Sequence, residues 1–484
     1  MVKLIQFELK KIFKSKFNLL LLIAAIAIQC LALKEIVLSP GYLNYYIDQN
    51  TSVNQIEYKQ YLDEFYTQHQ GIVTDEYINE WNDEYYQKLD EIIDKDKMIQ
   101  IYGDNYEEMI IAGRNGSLSE EDMWEYIRFV EERSRPLGYD YAPIEYSDDG
   151  STRFKLNLYY KSGMEEYGNT LHKIYYDLDF TTENQNAYLD VLNESKKHKI
   201  IASEVNGKTE IEDFGFLETL GYFNPDLISQ MNMNQIDWLN EKYENASPQM
   251  DTTIGAGVLA QSFDMYVIYL GYLLFLIVIG TNLFAGEKSK KTDVLLSCVK
   301  EYKRITTAKL LTMLLLVVSL FILAIIINIL AVSLFFDIKN LHLASYGYSL
   351  NNFGYIFILY SCFEMLLRQM GLIFCSFLCV AGLSAFLSCF TKNRFISVII
   401  MIIFVAFPML MTNGHTLLTI MPIVMLCCHT YFSFSSGIAG YLLPIVDLGG
   451  TIIHTATLVC LFWIIVSIIL MTGCYVKQKR HIVR

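Results

Sequence analysis

The chain has 484 residues, is 53% hydrophobic with a mean hydropathy of +0.27, and carries a formal net charge of -14. So acidic a balance argues against nucleic acid as a partner, because phosphate binding needs clustered Lys and Arg. The charge is unevenly spread. Leu38–Ser262 holds 43 Asp and Glu against 17 Lys and Arg, a net of -26, and the remaining residues are net +12. An acidic polar block is inserted into a basic apolar protein.

In chain order, residues 1–16 put Ile5, Leu9, Ile12 and Phe13 on one helical face and Lys3, Lys10 and Lys14 on another. That pattern predicts an amphipathic helix lying in a membrane interface. Phe17–Leu33 is the first uncharged apolar run, and the first span is assigned to 17–37. No A-x-A-like cleavage site follows it, and Lys34-Glu35 stands where one would lie, so it reads as a retained anchor. Further uncharged runs are Met265–Ala285, Leu310–Phe336, Met370–Phe390, Phe395–Met411 and Ile452–Cys474. A helix needs roughly 20 apolar residues to cross ~30 Å of hydrocarbon, so six spans are expected. The shortest runs sit at the lower limit.

Residues 38–262, between the first and second spans, are expected to form a large, mostly helical extracellular domain with a small sheet. Thr74 is a candidate N-cap for a helix with the apolar stripe Ile78, Trp81, Tyr85, Leu89 and Ile92. Ser119 with Asp122 resembles a capping box ahead of Met123, Ile127 and Val130, and Arg135-Pro136 ends that run. Asn224-Pro225 opens a helix towards Tyr243, and Phe154, Leu156, Leu158 and Tyr160 alternate as in a strand. The block holds 23 of the 34 tyrosines and none of the ten cysteines, so its core must stand without disulfides. Its acidic, aromatic character suits either a cationic visitor or a solvated surface over a tyrosine-rich core.

Residues 263–484 carry the second to sixth spans. Eighteen Lys and Arg fall in the N-terminal arm, in residues 286–309, at Lys392 and Arg394, and in the tail. Lys34, Lys339 and Arg368 lie on the opposite side. The positive-inside rule then predicts a multi-pass cell-membrane protein with both termini cytoplasmic and the acidic block outside. Residues 412–451, broken by Pro422, Pro444 and five glycines, read as a re-entrant outer segment, because a seventh span would put the basic tail outside. Glu364 and Arg368, spaced i, i+4, read as an outer-side ion pair.

Phosphate-loop, H-E-x-x-H and G-x-S-x-G patterns are missing from the sequence, so the chain is not expected to be an enzyme or to bind a cofactor or metal itself. Cys427-Cys428-His429 reads as packing, because adjacent residues ligate one ion poorly. His415 and His454 read as hydrogen-bonded residues.

The stretch FAGEKSKKTDVLLSCVKEYKRITTAKLL follows the second span. Here Glu287, Thr292, Asp293, Leu295, Leu296, Arg304 and Lys309 match in order a degenerate pattern, with Lys291 in place of a glycine and no proline near Val299. On these residues, with the six-span order and the amphipathic N-terminal helix, the chain resembles the ABC-2 type permeases, the membrane subunits of bacterial ABC exporters. The resemblance covers about half the chain and leaves the external block unexplained.

The resemblance implies an all-α polytopic membrane protein that acts as the permease of an ATP-driven exporter. Its partners would be a cytoplasmic ABC ATPase subunit carrying the ATP and Mg, a second membrane subunit (a copy of this chain or a different one) and the lipid bilayer. The ATPase would dock on the coupling loop 286–309 through Glu287, Asp293, Leu295, Leu296, Arg304 and Lys309. A peptide or antimicrobial cargo would suit the acidic outer block. Two alternatives stay open: a non-transporting cell-surface receptor or docking protein, and an ion exporter permease.

Overall fold

The computed structural model describes residues 1–38, 75–114, 118–145, 155–165, 167–168, 199–205, 208–215, 225–244, 250–251, 254–289, 302–339, 341–342, 344–345, 361–410, 420–432 and 443–481. Thr74, His415 and residues 290–301, which include Asp293, Leu295 and Leu296, lie outside the described residues. Five helices are long and apolar enough to cross a membrane: Lys16–Val37, Gly255–Ser289, Lys303–Ser333, Cys362–Phe390 and Thr455–Gln478. They overlap five of the six expected runs. The remaining one is a shorter apolar helix, Arg394–Pro408.

Two compact units emerge, Thr74–Asn184 and the rest of the chain. In the larger unit, α1 (Val2–Lys14) ends at Ser15, whose extended backbone turns the chain into α2 (Lys16–Leu38). Asn18 Nδ2 holds that corner by donating to the Ile12 carbonyl at 3.0 Å. On α1, Ile12 and Glu8 are buried, whereas Phe13 is exposed. The inward face is therefore rotated from the one its hydrophobicity alone selects, and it carries a carboxylate.

The unit Thr74–Asn184 contains α3 (Asp75–Ile92), α4 (Lys95–Tyr102), α5 (Tyr106–Arg114), α6 (Glu120–Ser134) and an antiparallel pair, β1 (Ile144–Glu145) with β2 (Lys155–Leu156). Ser119 Oγ accepts from the Asp122 N–H at 3.1 Å, which caps α6 as its sequence suggests. Met98, Ile101, Tyr102 and Val130 are wholly buried. Tyr102 Oη donates to the Pro143 and Asn157 carbonyls at 2.5 and 2.9 Å, and Tyr126 Oη donates to the Tyr102 carbonyl at 2.9 Å. Tyr85 and Tyr106 are buried as well, and Tyr106 Oη donates to Glu107 Oε1 at 3.1 Å, so some of the tyrosines form core with their hydroxyls bonded, whereas Tyr141 and Tyr167 are exposed. Burial raises the Tyr102 and Tyr126 hydroxyls, and burial next to Glu107 pushes Tyr106 up to about 12.

The chain returns to the larger unit through an antiparallel pair, β3 (Ile201–Val205) with β4 (Lys208–Asp213), and α7 (Met233–Glu244). The helix expected from Asn224-Pro225 to Tyr243 is split. One turn, Pro225–Ile228, is followed by a restart at Asn232. Asn232 Oδ1 accepts from the Gln235 N–H at 3.0 Å while Gln235 Oε1 accepts from the Asn232 N–H at 2.9 Å, a reciprocal cap.

Next come β5 (Met250–Asp251), α8 (Ile254–Asp264), α9 (Val267–Ser289), α10 (Tyr302–Ser333), β6 (Ala344–Ser345), α11 (Cys362–Phe390) and α12 (Arg394–Leu410). A hairpin of β7 (Ile445–Asp447) with β8 (Ile452–His454) leads into α13 (Thr455–His481). The helices α9 and α11 form the buried centre, and α11 packs most extensively on α13 and α9. Where α9 meets α2, a Cβ on Gly271 would lie 2.6 Å from Ala25 Cα. Where it meets α11, one on Gly280 would lie 2.5 Å from Ser384 Cβ. Small residues let these backbones approach, as dispersion between helices in lipid requires.

Residues 420–432 are buried and irregular inside this unit. Ser376 Oγ, midway along α11, donates to the Pro422 carbonyl at 2.8 Å, and Trp463 Nε1 on α13 donates to the Ile420 carbonyl at 2.6 Å. Broken backbone among apolar helices is stable only when protein groups take up its free carbonyls, and these two do so.

The β7–β8 hairpin is fastened to α7. Asn232 Nδ2 and Asn234 Nδ2 donate to Asp447 Oδ2 at 2.9 and 2.8 Å, and Gln235 Nε2 donates to the Ile445 carbonyl at 2.8 Å. The Asn234 amide, the Gly450 N–H and the Asn232 amide hold the Asp447 carboxyl below its ordinary 3.8. A depressed carboxylate stabilises fully above the unfolded value and loses that contribution as pH falls through the folded one. Protection of the Asn232–Gln235 amides against hydrogen exchange, taken relative to the unfolded rate at the same pH, is therefore expected to be high at neutral pH and lower well below 3.8. Asp447→Asn should show the lower protection already at neutral pH.

Candidate functional site

The end of α9, the start of α10, the end of α11, the start of α12, the end of α13 and α1 gather at one end of the larger unit, and most of its Lys and Arg lie there. The chain expected to carry a coupling loop enters and leaves the helices at this end. Glu287 closes α9 and Lys309 lies in the second turn of α10, and the two form an ion pair. The Lys309 side chain is 2% exposed and that of Glu287 13%. Lys309 Nζ also donates to the Leu283 carbonyl at 3.3 Å and sits 5.2 Å over the Phe284 ring. Lys11 of α1 lies 3.6 Å from Glu287 and 3.6 Å from Glu8, so four charges alternate in sign across three helices.

A buried ammonium is costly unless a carboxylate and further acceptors surround it. Here the carboxylate, a carbonyl and a ring face do so. Beside them, Lys288 Nζ donates to the Cys389 carbonyl at the end of α11. The α9–α10 junction is thus tied to α1 on one side and to α11 on the other.

Of the residues singled out in the sequence, Glu287 and Lys309 are brought together and turned inward. Arg304 is exposed in the first turn of α10. Glu364 and Arg368 lie in the first two turns of α11 at the opposite end, where Ser361 Oγ accepts from the Glu364 N–H at 3.2 Å. Arg368 Nη1 donates to the Glu364 backbone carbonyl at 3.2 Å. A cavity of about 610 Å³ opens nearby, lined by Lys339, His342, Ser361, Phe363 and Glu364. His454 Nδ1 accepts from the Ala456 N–H at 3.2 Å and so caps α13. Cys427 and Cys428 are packed, with Cys428 Sγ 3.8 Å from the Phe263 carbonyl.

A second polar cluster escaped the sequence reading. Gln29 Nε2 on α2 donates to the Ala324 carbonyl at 2.8 Å and to Asn328 Oδ1 at 2.6 Å, both on α10. Tyr272 Oη donates to Gln29 Oε1 at 2.5 Å. Asn328 Nδ2 donates to Tyr269 Oη at 3.0 Å and to the Ser262 carbonyl at 3.2 Å. Amides in apolar surroundings act as glue between helices, and here they join α2, α8, α9 and α10. The signal available was an amide in each of two uncharged runs, which a search for charges passes over.

No family model matches the chain, and no curated protein or solved structure is significantly similar to it.

Removing Glu287 leaves the buried Lys309 ammonium without its carboxylate, so Glu287→Leu is expected to cost about 3–5 kcal/mol. Adding Lys309→Met should recover a large part of that loss. Thermal unfolding of wild type, both single variants and the double variant in detergent gives the coupling energy. Additive losses would show that the pair is not coupled.

Proposed function

We propose that the chain is the membrane-spanning permease subunit of an ATP-driven exporter, working with a separate ATPase subunit and a second membrane subunit in a cell membrane. The observation that carries this reading is the clamp at the α9–α10 junction. Residues 290–301 are flanked by Glu287 and Lys309, which hold each other, and Lys11 adds α1 to the same network. A partner pressing on a segment so clamped at both ends would move α9 and α10 together, which is what a coupling loop has to do. In this reading Glu287 and Lys309 secure the base of the loop, and Leu295, Leu296 and Arg304 meet the ATPase. ATP and Mg belong to that partner.

Orientation follows from charge. The clustered Lys and Arg put the α9–α10 junction and both termini in the cytoplasm, and the acidic unit Thr74–Asn184 outside. A parity argument favours six crossings. Both α11 and α13 run from the opposite end towards the basic end, so the chain between them crosses an odd number of times. The helix α12, about 25 Å long at ~1.5 Å per residue, supplies one crossing. Residues 420–432, which reach the level of Ser376, then enter and leave on the same outer side. The acidic outer unit suits a cationic or amphipathic cargo such as a peptide, released outward.

Two measurements test this. Purification from native membranes in mild detergent should recover a phosphate-loop ATPase, identified by mass spectrometry. Leu295→Asp with Leu296→Asp should remove that ATPase while the chain stays in the membrane. Recovery of no ATPase with wild type would reject the assignment. For orientation, protease added to intact cells should release fragments of Thr74–Asn184, whereas epitopes at either terminus should be cut only in inverted vesicles.

A further inference from the structure

The burial of α1 decides which of its faces is left outside the bundle. Glu8 and Ile12 point inward, and the helix packs against α10 and α2. Lys11 reaches Glu287 at 3.6 Å and fixes that rotation. At 3.6 residues per turn, Lys3, Lys10 and Lys14 then fall within about 40° of one another, on the side opposite Glu8 and Ile12. All three are exposed, and none of them makes an ion pair among the described residues. Exposed apolar side chains border this stripe. Val2 and Phe13, 68% and 41% exposed, lie along one edge, and Phe7, 63% exposed, along the other.

The depth of this face in a membrane follows from the chain itself. A single residue, Ser15, separates α1 from α2, a helix long and apolar enough to cross a membrane. The bond from Asn18 of α2 to the Ile12 carbonyl keeps the last turn of α1 beside the first turn of that span. On α2 itself Phe17, Leu20 and Ile23 are exposed, as side chains lying against acyl chains are. The helix α1 therefore sits where hydrocarbon gives way to headgroups. At that depth apolar side chains reach acyl chains, and lysine stems carry their ammonium groups to the level of the phosphates.

We propose that the Lys3–Lys10–Lys14 face of α1 is a binding surface for anionic phospholipid, with Val2 and Phe13 against the acyl chains beside it. Charge selects the lipid class. Three ammonium groups without a carboxylate partner attract a headgroup of net negative charge, whereas a zwitterionic headgroup carries its own cation beside the phosphate. Position favours lipid over a soluble acidic protein, because the one-residue tether holds the face at the membrane surface and its borders are apolar. Lipid on this face and the Lys11–Glu287 contact hold α1 in the same rotation. This inference does not depend on the transport reading.

The test uses the full chain in nanodiscs of phosphatidylcholine with a minor share of phosphatidylglycerol. A trace of either lipid carrying a photoactivatable group is added, and labelled peptides covering residues 2–14 are quantified by mass spectrometry. A lysine near an anionic surface contributes roughly fivefold in affinity. The phosphatidylglycerol probe is therefore expected to label α1 at least several-fold more than the phosphatidylcholine probe. Lys3→Gln, Lys10→Gln and Lys14→Gln together should abolish that preference, with thermal unfolding unchanged because the three side chains are exposed. Lys392→Gln with Arg394→Gln, exposed at the turn between α11 and α12, should leave it intact. Added salt should weaken the preference, and inorganic phosphate at matched ionic strength should not. Equal labelling by the two probes, a preference that survives the triple variant, or one removed by inorganic phosphate would overturn the proposal. So would amine acylation that spares Lys3, Lys10 and Lys14 in native membranes but not in the anionic nanodiscs, since that result assigns the face to a protein.

Discussion

An ammonium that is 2% exposed near the start of an apolar helix is tolerable in few arrangements. In surroundings of low dielectric the cost of leaving Lys309 alone exceeds that of losing a whole packed side chain. The fold therefore has to bring a carboxylate to it, and the only short route is from the preceding helix, whose last turns carry Glu287. Once that pair forms, the end of α9 and the start of α10 cannot separate without exposing two charges to apolar atoms. Lys11 extends the constraint to α1, whose own buried Glu8 completes the neutral set. The rotation of α1 away from its most hydrophobic face follows from this requirement, because Glu8 has to point inward.

The same rule acts deeper in the bundle, with amides in place of charges. In lipid no hydrophobic effect drives one apolar helix onto another, so dispersion at small residues and hydrogen bonds must choose the partners. Gly271 and Gly280 supply the first, and Gln29 with Asn328 supplies the second. The irregular stretch 420–432 is tolerated for a related reason. Two of its carbonyls, at Ile420 and Pro422, are taken up by Trp463 and Ser376.

Uncharged run length located five of the helices, because hydropathy and length are properties of single segments. Their limits were less legible. The second run was started at Met265 since Asp264 ended it, yet that carboxylate is buried and the apolar span Gly255–Ser289 takes in α8 as well as α9. Alternation predicted a strand through Phe154–Tyr160, and the described part holds only Lys155–Leu156 and a single bridge between Tyr160 and Ile93. What composition could not convey is long-range pairing. Residues 199–251 share the polar character of the acidic block, but the described ones among them pack with the rest of the larger unit through contacts such as Gln235 to Ile445, more than two hundred residues apart. At the site, Glu287 and Lys309 were each legible as charges near span ends. Their burial against one another was not, since nothing in either local segment marks a charge as turned inward.

These ties divide the larger unit into two groups. One comprises α1, α2, α8, α9 and α10, joined by the ion pairs at the basic end and by the amide cluster. The other comprises α11, α13 and residues 420–432, joined by the extensive packing of α11 on α13 and by the Ser376 and Trp463 bonds. They meet where α9 crosses α11, through Gly280 against Ser384 and Lys288 against the Cys389 carbonyl, and where Gln369 Nε2 of α11 donates to the Ala260 carbonyl of α8 at 3.3 Å. The two groups are themselves held together by the extensive α9–α11 packing, and Lys288 spans that contact from the same turn of helix that carries Glu287.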